Sequence, residues 1–187
     1  MGFLSFGSKK KKVRGMLEDG QFEVLTQEAV KDRKVFEALV ELLDDENPGI
    51  VGDTLLVFTQ LLELNPDFMG KQFSPESFKK LLGLIHSRNP YVKENAMILA
   101  YSIIKTFPDL IGRYRSWIVE EIRSSLSSAN SEQKGFLLVV IGELKLKEFE
   151  EDVKGLLNVE DKVVLPFEGK KWIPLGEIAR ETLEKLT

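Results

Sequence analysis

Few residues of this chain could do chemistry, and none has the neighbours that catalysis needs. His86 is the only histidine, and it ends a predicted helix without an acid to activate it. Asp44-Asp45-Glu46 lacks the spacing and the glycine of a calcium loop, so we interpret it as a polar turn. Gly70-Lys71 and Gly169-Lys170 lack the rest of a phosphate-binding loop. The sequence therefore predicts no catalytic residue, no metal ligand and no cofactor.

Residues 113–117, with the sequence Arg-Tyr-Arg-Ser-Trp, interleave basic and aromatic side chains, a pattern that can bind nucleic acid. The alternative is that Trp117 belongs to the core and that the two arginines are solvated residues at a helix start. Residues 1–17 hold five basic and no acidic residues, whereas the rest of the chain holds 21 basic and 30 acidic residues. Because an acidic body repels phosphate backbones, nucleic acid is not the expected partner.

Composition sets the expected compartment. The chain has no cysteine, which fits a reducing environment. Its longest uninterrupted apolar run, residues 136–141, is too short to cross a bilayer, and no secretory signal leads it. We therefore expect a cytoplasmic protein, and heavy use of Lys and Glu with a single His fits a heat-adapted source.

The elements that must position any functional residue repeat at a fixed step of 42 residues. Asn47-Pro48 recurs as Asn89-Pro90, and Pro66 recurs as Pro108. Ahead of each Asn-Pro pair runs an i, i+3, i+4, i+7 apolar stripe, which predicts a helix with one buried face. The stripes are Phe36, Leu39, Val40 and Leu43 in the first copy and Phe78, Leu81, Leu82 and Ile85 in the second. A period of this length is typical of a stacked array of helical hairpins.

The Asn-Pro pairs are good helix starts, because Asn can cap free amides and Pro suits the first helical position. They open predicted second helices over about residues 49–64 and 91–106. A third copy has looser register, and Asn130 with Gln133 predicts a capping box at the start of its second helix. That helix holds the apolar residues 136–141 and Leu144, so it is apolar on nearly every side, which predicts burial all round.

A fourth copy closes the array. It has a predicted first helix over about residues 147–157 and a last helix over about residues 175–186. Between them, residues 163–167 and 171–174 flank Glu168-Gly169-Lys170, which predicts a small inserted β-hairpin. Such an insertion on one face of an array is a candidate contact element. At the other end, residues 20–34 are expected to form a short opening helix.

These hairpins resemble HEAT repeats, including the short bacterial and archaeal kind first described in phycobiliprotein lyases. The resemblance rests on the Asn-Pro turns, on Val92-Lys93-Glu94-Asn95-Ala96, and on Ile178-Ala179-Arg180-Glu181-Thr182-Leu183 in the last helix. It covers roughly residues 34–186, and departs from the usual pattern at Ser131, where Pro is usual, and at the inserted hairpin. It implies an all-α superhelix, a HEAT/armadillo-like α-α solenoid of about four helical hairpins with a small β-hairpin near the C-terminus.

The resemblance brings no catalytic residues, so we expect a non-enzymatic scaffold or adaptor that binds another protein in its concave groove. The alternative of a nucleic-acid-binding protein, or of an enzyme like the HEAT-type DNA glycosylases that excise alkylated bases, needs a cationic groove. Helix phase instead places acidic side chains on that side, Glu63, Glu94 and Glu143 among them.

Helix phase also indicates which other side chains of the second helices point away from the core. Leu56, Ile98 and Val140 would form an apolar row along the groove, one residue per repeat. The predicted partner-binding residues are Leu56, Thr59, Ile98, Tyr101, Lys105, Val140 and Glu143. An apolar row with an exposed tyrosine suits a partner helix or peptide. The alternative is that these side chains pack between neighbouring helices.

Residues 1–14 are expected to be a basic, mobile tail ahead of a single repeat domain over residues 15–187. Its aromatic residues could dip into an acidic membrane surface while the lysines meet lipid phosphates, which would make the chain a membrane-surface adaptor. The residues concerned are Phe3, Leu4, Phe6, Lys9, Lys10, Lys11 and Lys12. The alternatives are a frayed tail whose aromatic residues cap the first repeat, or contact with nucleic acid or an acidic protein.

Overall fold

A computed structural model describes residues 3–167, 169 and 172–187, except for the side chains of residues 3–6 and 110. The chain divides into two compact units, Met1–Ala100 and Tyr101–Thr187. The first unit holds α1 (Phe3–Glu18), α2 (Phe22–Lys31), α3 (Arg33–Leu42), α4 (Pro48–Leu64), α5 (Pro66–Gln72), α6 (Pro75–Leu84) and most of α7 (Pro90–Thr106). The second unit holds α8 (Pro108–Gly112), α9 (Arg115–Leu126), α10 (Ser131–Glu143), a 3-10 turn (Lys147–Phe149), α11 (Glu150–Lys154), β1 (Lys162–Val164), β2 (Trp172–Pro174) and α12 (Leu175–Leu186). The expected all-α fold with a small antiparallel sheet near the C-terminus is confirmed.

The long helices begin where the Asn-Pro pairs predict. The side chain of Asn47 accepts a hydrogen bond from the backbone N–H of Gly49 at 2.9 Å, and Asn89 accepts one from Tyr91 at 3.0 Å. Each bond satisfies an amide that has no partner within its helix. The predicted capping box is also present, with Asn130 and Gln133 bonding each other's backbone N–H groups.

The prolines that follow the long helices each begin another helix. Helices α4 and α7 stop at Leu64 and Thr106, and the following prolines each open another short helix, α5 and α8. Asn65 caps α5 by accepting a hydrogen bond from the backbone N–H of Phe68 at 3.3 Å. Pro66 and Pro108 therefore act as first helical residues, the position where proline lacks only an amide that would have no partner.

The first unit is built around a chain of edge-to-face aromatic rings. Phe36 of α3 meets Phe58 of α4 with ring centroids 5.4 Å apart, and it meets Phe68 of α5 at 5.5 Å. Phe58 continues the chain to Phe73, at 5.8 Å. Because Phe36 and Phe58 are almost fully buried, these contacts tie α3, α4 and α5 into one core.

Helix α1 occupies most of the segment that the sequence pattern assigns to a basic tail. It packs against α3, α2 and α4, and its Val13 and Leu17 are each only 1% exposed. One local signal marks its end, because Gly20 follows the helix with a φ angle of 69° and the backbone N–H of Gln21 donates to the carbonyl of Met16 at 2.9 Å. The buried side chains of Val13 and Leu17 make α1 part of the fold of the first unit.

The core of the second unit is helix α10, which packs against α9, α12 and strand β1. Every residue from Gly135 to Gly142 is buried, as the all-round apolar pattern predicts. The strands pair in antiparallel register, with Val163 opposite Ile173. A Cβ added to Gly135 would lie 3.1 Å from a methyl group of Val163 and 3.5 Å from one of Leu165, so this small residue lets the hairpin lie close to α10. In place of the single helix expected over residues 147–157, the chain makes the 3-10 turn followed by α11.

Candidate functional site

Three of the predicted partner-binding residues lie in the first unit and keep part of their surface accessible. Leu56 and Thr59 are half-buried on α4, and Ile98 is half-buried on α7. The hydroxyl of Thr59 donates a hydrogen bond to the backbone carbonyl of Leu55 at 3.0 Å. We call these residues, together with Tyr91, the α4/α7 face.

Tyr91 joins the two helices of this face, and sequence reasoning missed it. A Cβ added to Gly52 would lie 2.2 Å from two ring carbons of Tyr91, so the tyrosine ring rests on the bare backbone of α4. Its hydroxyl donates a hydrogen bond to Asp53 at 2.7 Å. Partial burial and then this hydrogen bond to a carboxylate raise the pKa of Tyr91 to about 12. Gly52, at an outward position of a long helix, was the one signal in the sequence that something large approaches there.

The remaining predicted residues lie in the second unit, where the inserted hairpin stacks on one of them. Phe167, just beyond β1, stacks on Tyr101 with centroids 4.2 Å apart and an interplanar angle of 6°. The same ring meets buried Phe136 of α10 edge to face at 6.1 Å. The chain's own hairpin therefore occupies one face of the Tyr101 ring, and the side chain as a whole is half-buried.

The prediction that Val140 is an accessible contact residue is wrong, since its side chain is buried and the residue is only 2% exposed. The prediction from helix phase assumes that one side of α10 faces solvent. In the structure α10 is enclosed by α9, α12 and β1, and the hairpin side chains Val163 and Leu165 are themselves buried. The insertion thus packs on α10 beside Gly135 and Phe136, so α10 is not open where the repeat pattern predicts.

Lys105 and Glu143 are brought together, but as an internal ion pair. The Glu143 carboxylate accepts hydrogen bonds from Lys105 at 3.0 Å and from Lys185 at 2.7 Å, and its side chain is 12% exposed. Burial raises its pKa, but the two ammonium donors outweigh burial, so the pKa of Glu143 lies below its ordinary value. This bridge links the ends of α7, α10 and α12.

Several basic residues of the opening segment form ion pairs within the first unit. Lys9 pairs with Asp32 at 2.9 Å, Lys10 with Glu41 at 3.9 Å, and Arg14 with Asp45 at 3.0 Å. The hydrogen bond from Lys9 lowers the pKa of Asp32. Lys11 and Lys12 are exposed. The side chains of Phe3, Leu4 and Phe6, which the membrane hypothesis needs, lie outside the described residues.

Three other polar residues singled out in the sequence, Asp44, Asp45 and Arg115, have structural partners. Asp44 pairs with Lys80, and Asp45 accepts a hydrogen bond from the backbone N–H of Asn47 at 2.9 Å, as expected for a polar turn. Arg115 donates to Glu148 at 2.6 Å. Across the described part of the chain, no group of three or more acidic or histidine side chains is arranged to hold a metal ion.

Two general comparisons complete the description of the site. None of the described helices combines the length and the apolar character that crossing a lipid bilayer requires. A comparison with models of known protein families and a search of characterised proteins both found no match. The candidate site therefore has to be judged on its own geometry.

Proposed function

We propose that this chain is a cytoplasmic, non-enzymatic protein-binding module, a HEAT-like α-solenoid that holds a segment of another protein on its α4/α7 face. The repeat behind this proposal is supported by matched elements. Helices α4 and α7 both have 17 residues and begin at the proline of an Asn-Pro pair, and α3 and α6 both have 10 residues.

One observation carries the proposal. At equivalent positions of the three second helices, Leu56 and Ile98 remain partly exposed, whereas the chain itself covers Val140. Partly exposed aliphatic residues at the same place on consecutive helices offer an apolar strip that a partner can bury.

The inserted hairpin is an internal example of what such a face can hold. Val163 and Leu165 are buried beside α10, and Phe167, two residues further on, stacks on Tyr101. Alternate residues of an extended segment thus pack against helices through one face. By analogy, the partner segment for the α4/α7 face carries apolar residues at alternate positions.

Charge favours a protein partner over nucleic acid. Glu63 and Glu94 are exposed on the same two helices, and the chain has a net charge of −4. Phosphate backbones would be repelled by such a surface, whereas a protein segment with neutral or basic side chains would not.

The test replaces Leu56 and Ile98 together by Asp, which puts two charges on the face without touching the buried core. In quantitative pull-downs from native lysate, we expect the double variant to lose at least about 90% of the partner captured by the original chain, because buried apolar contacts are replaced by desolvated charges.

The control replaces two other apolar residues of the first unit by Asp, namely Val24 and Val30 of α2. Their side chains are 48% and 39% exposed. It should capture the partner normally. Undiminished capture by the Leu56/Ile98 variant, with helicity and melting temperature kept, would refute the α4/α7 face. A loss of helicity in that variant would show instead that Leu56 and Ile98 belong to the core.

A further inference from the structure

A small apolar cleft opens in the second unit, and it shares no residue with the α4/α7 face. It has a volume of about 190 Å³ and is lined by residues from α8, α9 and the turn after α10. Ile111 and Leu146 are almost fully buried and form its floor, with Pro108, Gly112 and Leu144 beside them. A cavity of about 150 Å³ accommodates a benzene-sized group, so this cleft can take one apolar side chain.

The rim of the cleft is rich in cations. Arg115 is held in place because its guanidinium donates to Glu148 at 2.6 Å and to the backbone carbonyl of Leu144 at 3.4 Å. Glu143 also lines the cleft, but Lys105 and Lys185 already occupy its carboxylate. Among the lining residues, their ion-pair partners and the exposed neighbours Asp109, Arg113 and Lys147, six positive charges stand against three negative ones, in a chain whose net charge is −4.

Two cations near the cleft are available to a ligand. Lys145 lines it and is exposed, and Arg113 is exposed directly after the lining residue Gly112. Neither side chain has an ion pair with the residues that the structure describes. Both can therefore approach an acidic group without first breaking an internal contact.

The backbone at Lys145 adds a second, independent indication. Its φ angle is 50°, the one positive value among the described non-glycine residues. The N–H of Leu146 donates to the carbonyl of Ile141 at 3.0 Å, so Lys145 stands at the position after a helix end where glycine is usual. A side chain is strained there, and such strain is concentrated at functional positions. A lysine in that place carries its charge to the cleft despite the strain.

We infer that this cleft binds an acidic peptide segment of another protein, inserting one apolar side chain while flanking Asp or Glu residues meet Lys145 and Arg113. Charge complementarity selects the flanking residues, and the aliphatic floor selects the inserted one. A nucleic acid fits less well, because the lining residues include no aromatic ring on which a base could stack.

The test uses the full chain and a capped pentapeptide with a central leucine between two acidic residues on each side. In two-dimensional ¹H–¹⁵N NMR titrations at low salt, we expect shifts confined to the amides of residues 109–115 and 143–147. The same peptide with serine in place of leucine should bind at least about tenfold more weakly, a difference of the size expected for one buried aliphatic side chain.

Variants of Lys145 separate binding from folding. Lys145→Glu should weaken peptide binding by about tenfold or more, and Lys145→Gly should weaken it severalfold while leaving the melting temperature unchanged or higher. Lys31→Glu, a charge reversal at an exposed lysine of α2, is the matched control and should bind normally.

Several results would overturn the inference. Equal affinity for the leucine and serine peptides would show that the cleft does not bind the apolar side chain. Undiminished binding by both Lys145 variants would show that this lysine does not contact the peptide. If an oligothymidylate shifts the same amide signals and binds with higher affinity than the peptide, the cleft binds nucleic acid instead. Failure of the α4/α7 variants in pull-downs would not affect these measurements, because the two surfaces have no residue in common.

Discussion

The ring of Phe167 lies flat on the ring of Tyr101, with centroids 4.2 Å apart. Because Phe167 follows strand β1 and Tyr101 belongs to α7, this stack anchors the inserted hairpin to a helix more than sixty residues earlier in the chain. The hairpin is therefore a packed part of the second unit.

Removing this anchor should loosen the second unit. We expect Phe167→Ala to lower the free energy of unfolding by about 2 kcal/mol, from lost apolar burial and lost ring stacking. Urea denaturation followed by circular dichroism measures it. Trp172→Ala is the control, because Trp172 is 70% exposed on the same hairpin, and it should change stability by less than about 0.5 kcal/mol. Equal effects of the two substitutions would contradict the anchoring role.

Gly52 and Gly83 form a matched pair of helical glycines with opposite predicted outcomes. A Cβ at Gly52 would meet the ring of Tyr91 at 2.2 Å, whereas one at Gly83 meets nothing within 4 Å. We expect Gly52→Ala to destabilise the chain by about 1–2 kcal/mol through overpacking. Gly83→Ala should stabilise it by about 0.5–1 kcal/mol through helix propensity. Thermal and urea unfolding of both variants decide the matter, and stabilisation by Gly52→Ala would show that Tyr91 does not rest there.

The same contact should be visible in the titration of Tyr91. Its pKa in the folded state is about 12, above the ordinary value of 10.0, because burial and the bond to Asp53 favour the protonated phenol. The stabilisation linked to this shift is fully present below pH 10 and is lost as the pH rises through 12. Ultraviolet titration should therefore show a late-titrating tyrosine, whose pKa moves towards 10.0 in the Gly52→Ala variant. An unchanged late tyrosine in that variant would assign it to another residue.

The Glu143 bridge predicts an acid-dependent loss of stability. At pH 7, Glu143→Gln should cost about 1–2 kcal/mol, because two ammonium groups lose a charged acceptor. The folded-state pKa lies below 4.5, so the bridge contributes above that value and is lost as the pH falls through the folded pKa. The difference between original and variant chains should therefore shrink in acid. Glu181→Gln, an exposed position on α12, is the control and should show neither effect.

Helix α1 should matter for stability, whatever else its lysines do. Leu17 is 1% exposed, so we expect Leu17→Ala to cost about 3 kcal/mol of unfolding free energy. Leu64→Ala is the control, because Leu64 is 76% exposed and its truncation should cost less than about 0.5 kcal/mol. A negligible effect of Leu17→Ala would mean that α1 does not belong to the core. Membrane tests of this segment should accordingly reverse the charges of Lys11 and Lys12 rather than delete residues 2–12.

Much of the helical framework could be predicted because its signals are local. Asn47 and Asn89 cap the helices that follow them, and both Asn-Pro pairs open helices of the expected length. The stripe of Phe78, Leu81, Leu82 and Ile85 is buried, as its spacing requires. A cap and an apolar period act within one or two helical turns, so a single sequence contains them completely.

The candidate site was harder to predict from the sequence, because the exposure of a side chain depends on which distant parts of the chain pack against it. Helix phase places Leu56, Ile98 and Val140 alike, yet only the first two remain partly exposed. Tyr91, which holds the α4/α7 face together, was missed since its contact with Gly52 joins residues far apart in sequence. The α1 helix was missed for the same reason, as its ion pairs reach Asp32 and Asp45, which lie in later connections between helices.

The sequence by itself determined where the long helices begin, which of their faces are apolar and that a hairpin interrupts the last repeat. Only the tertiary structure decided that the hairpin lies on α10, that residues 3–18 belong to a helix of the core, and that Glu143 is neutralised by two lysines. The physical reason is that capping and periodicity are properties of neighbouring residues. Burial and charge pairing depend on long-range contacts, whose free energies settle which apolar face is covered and which stays available to a partner.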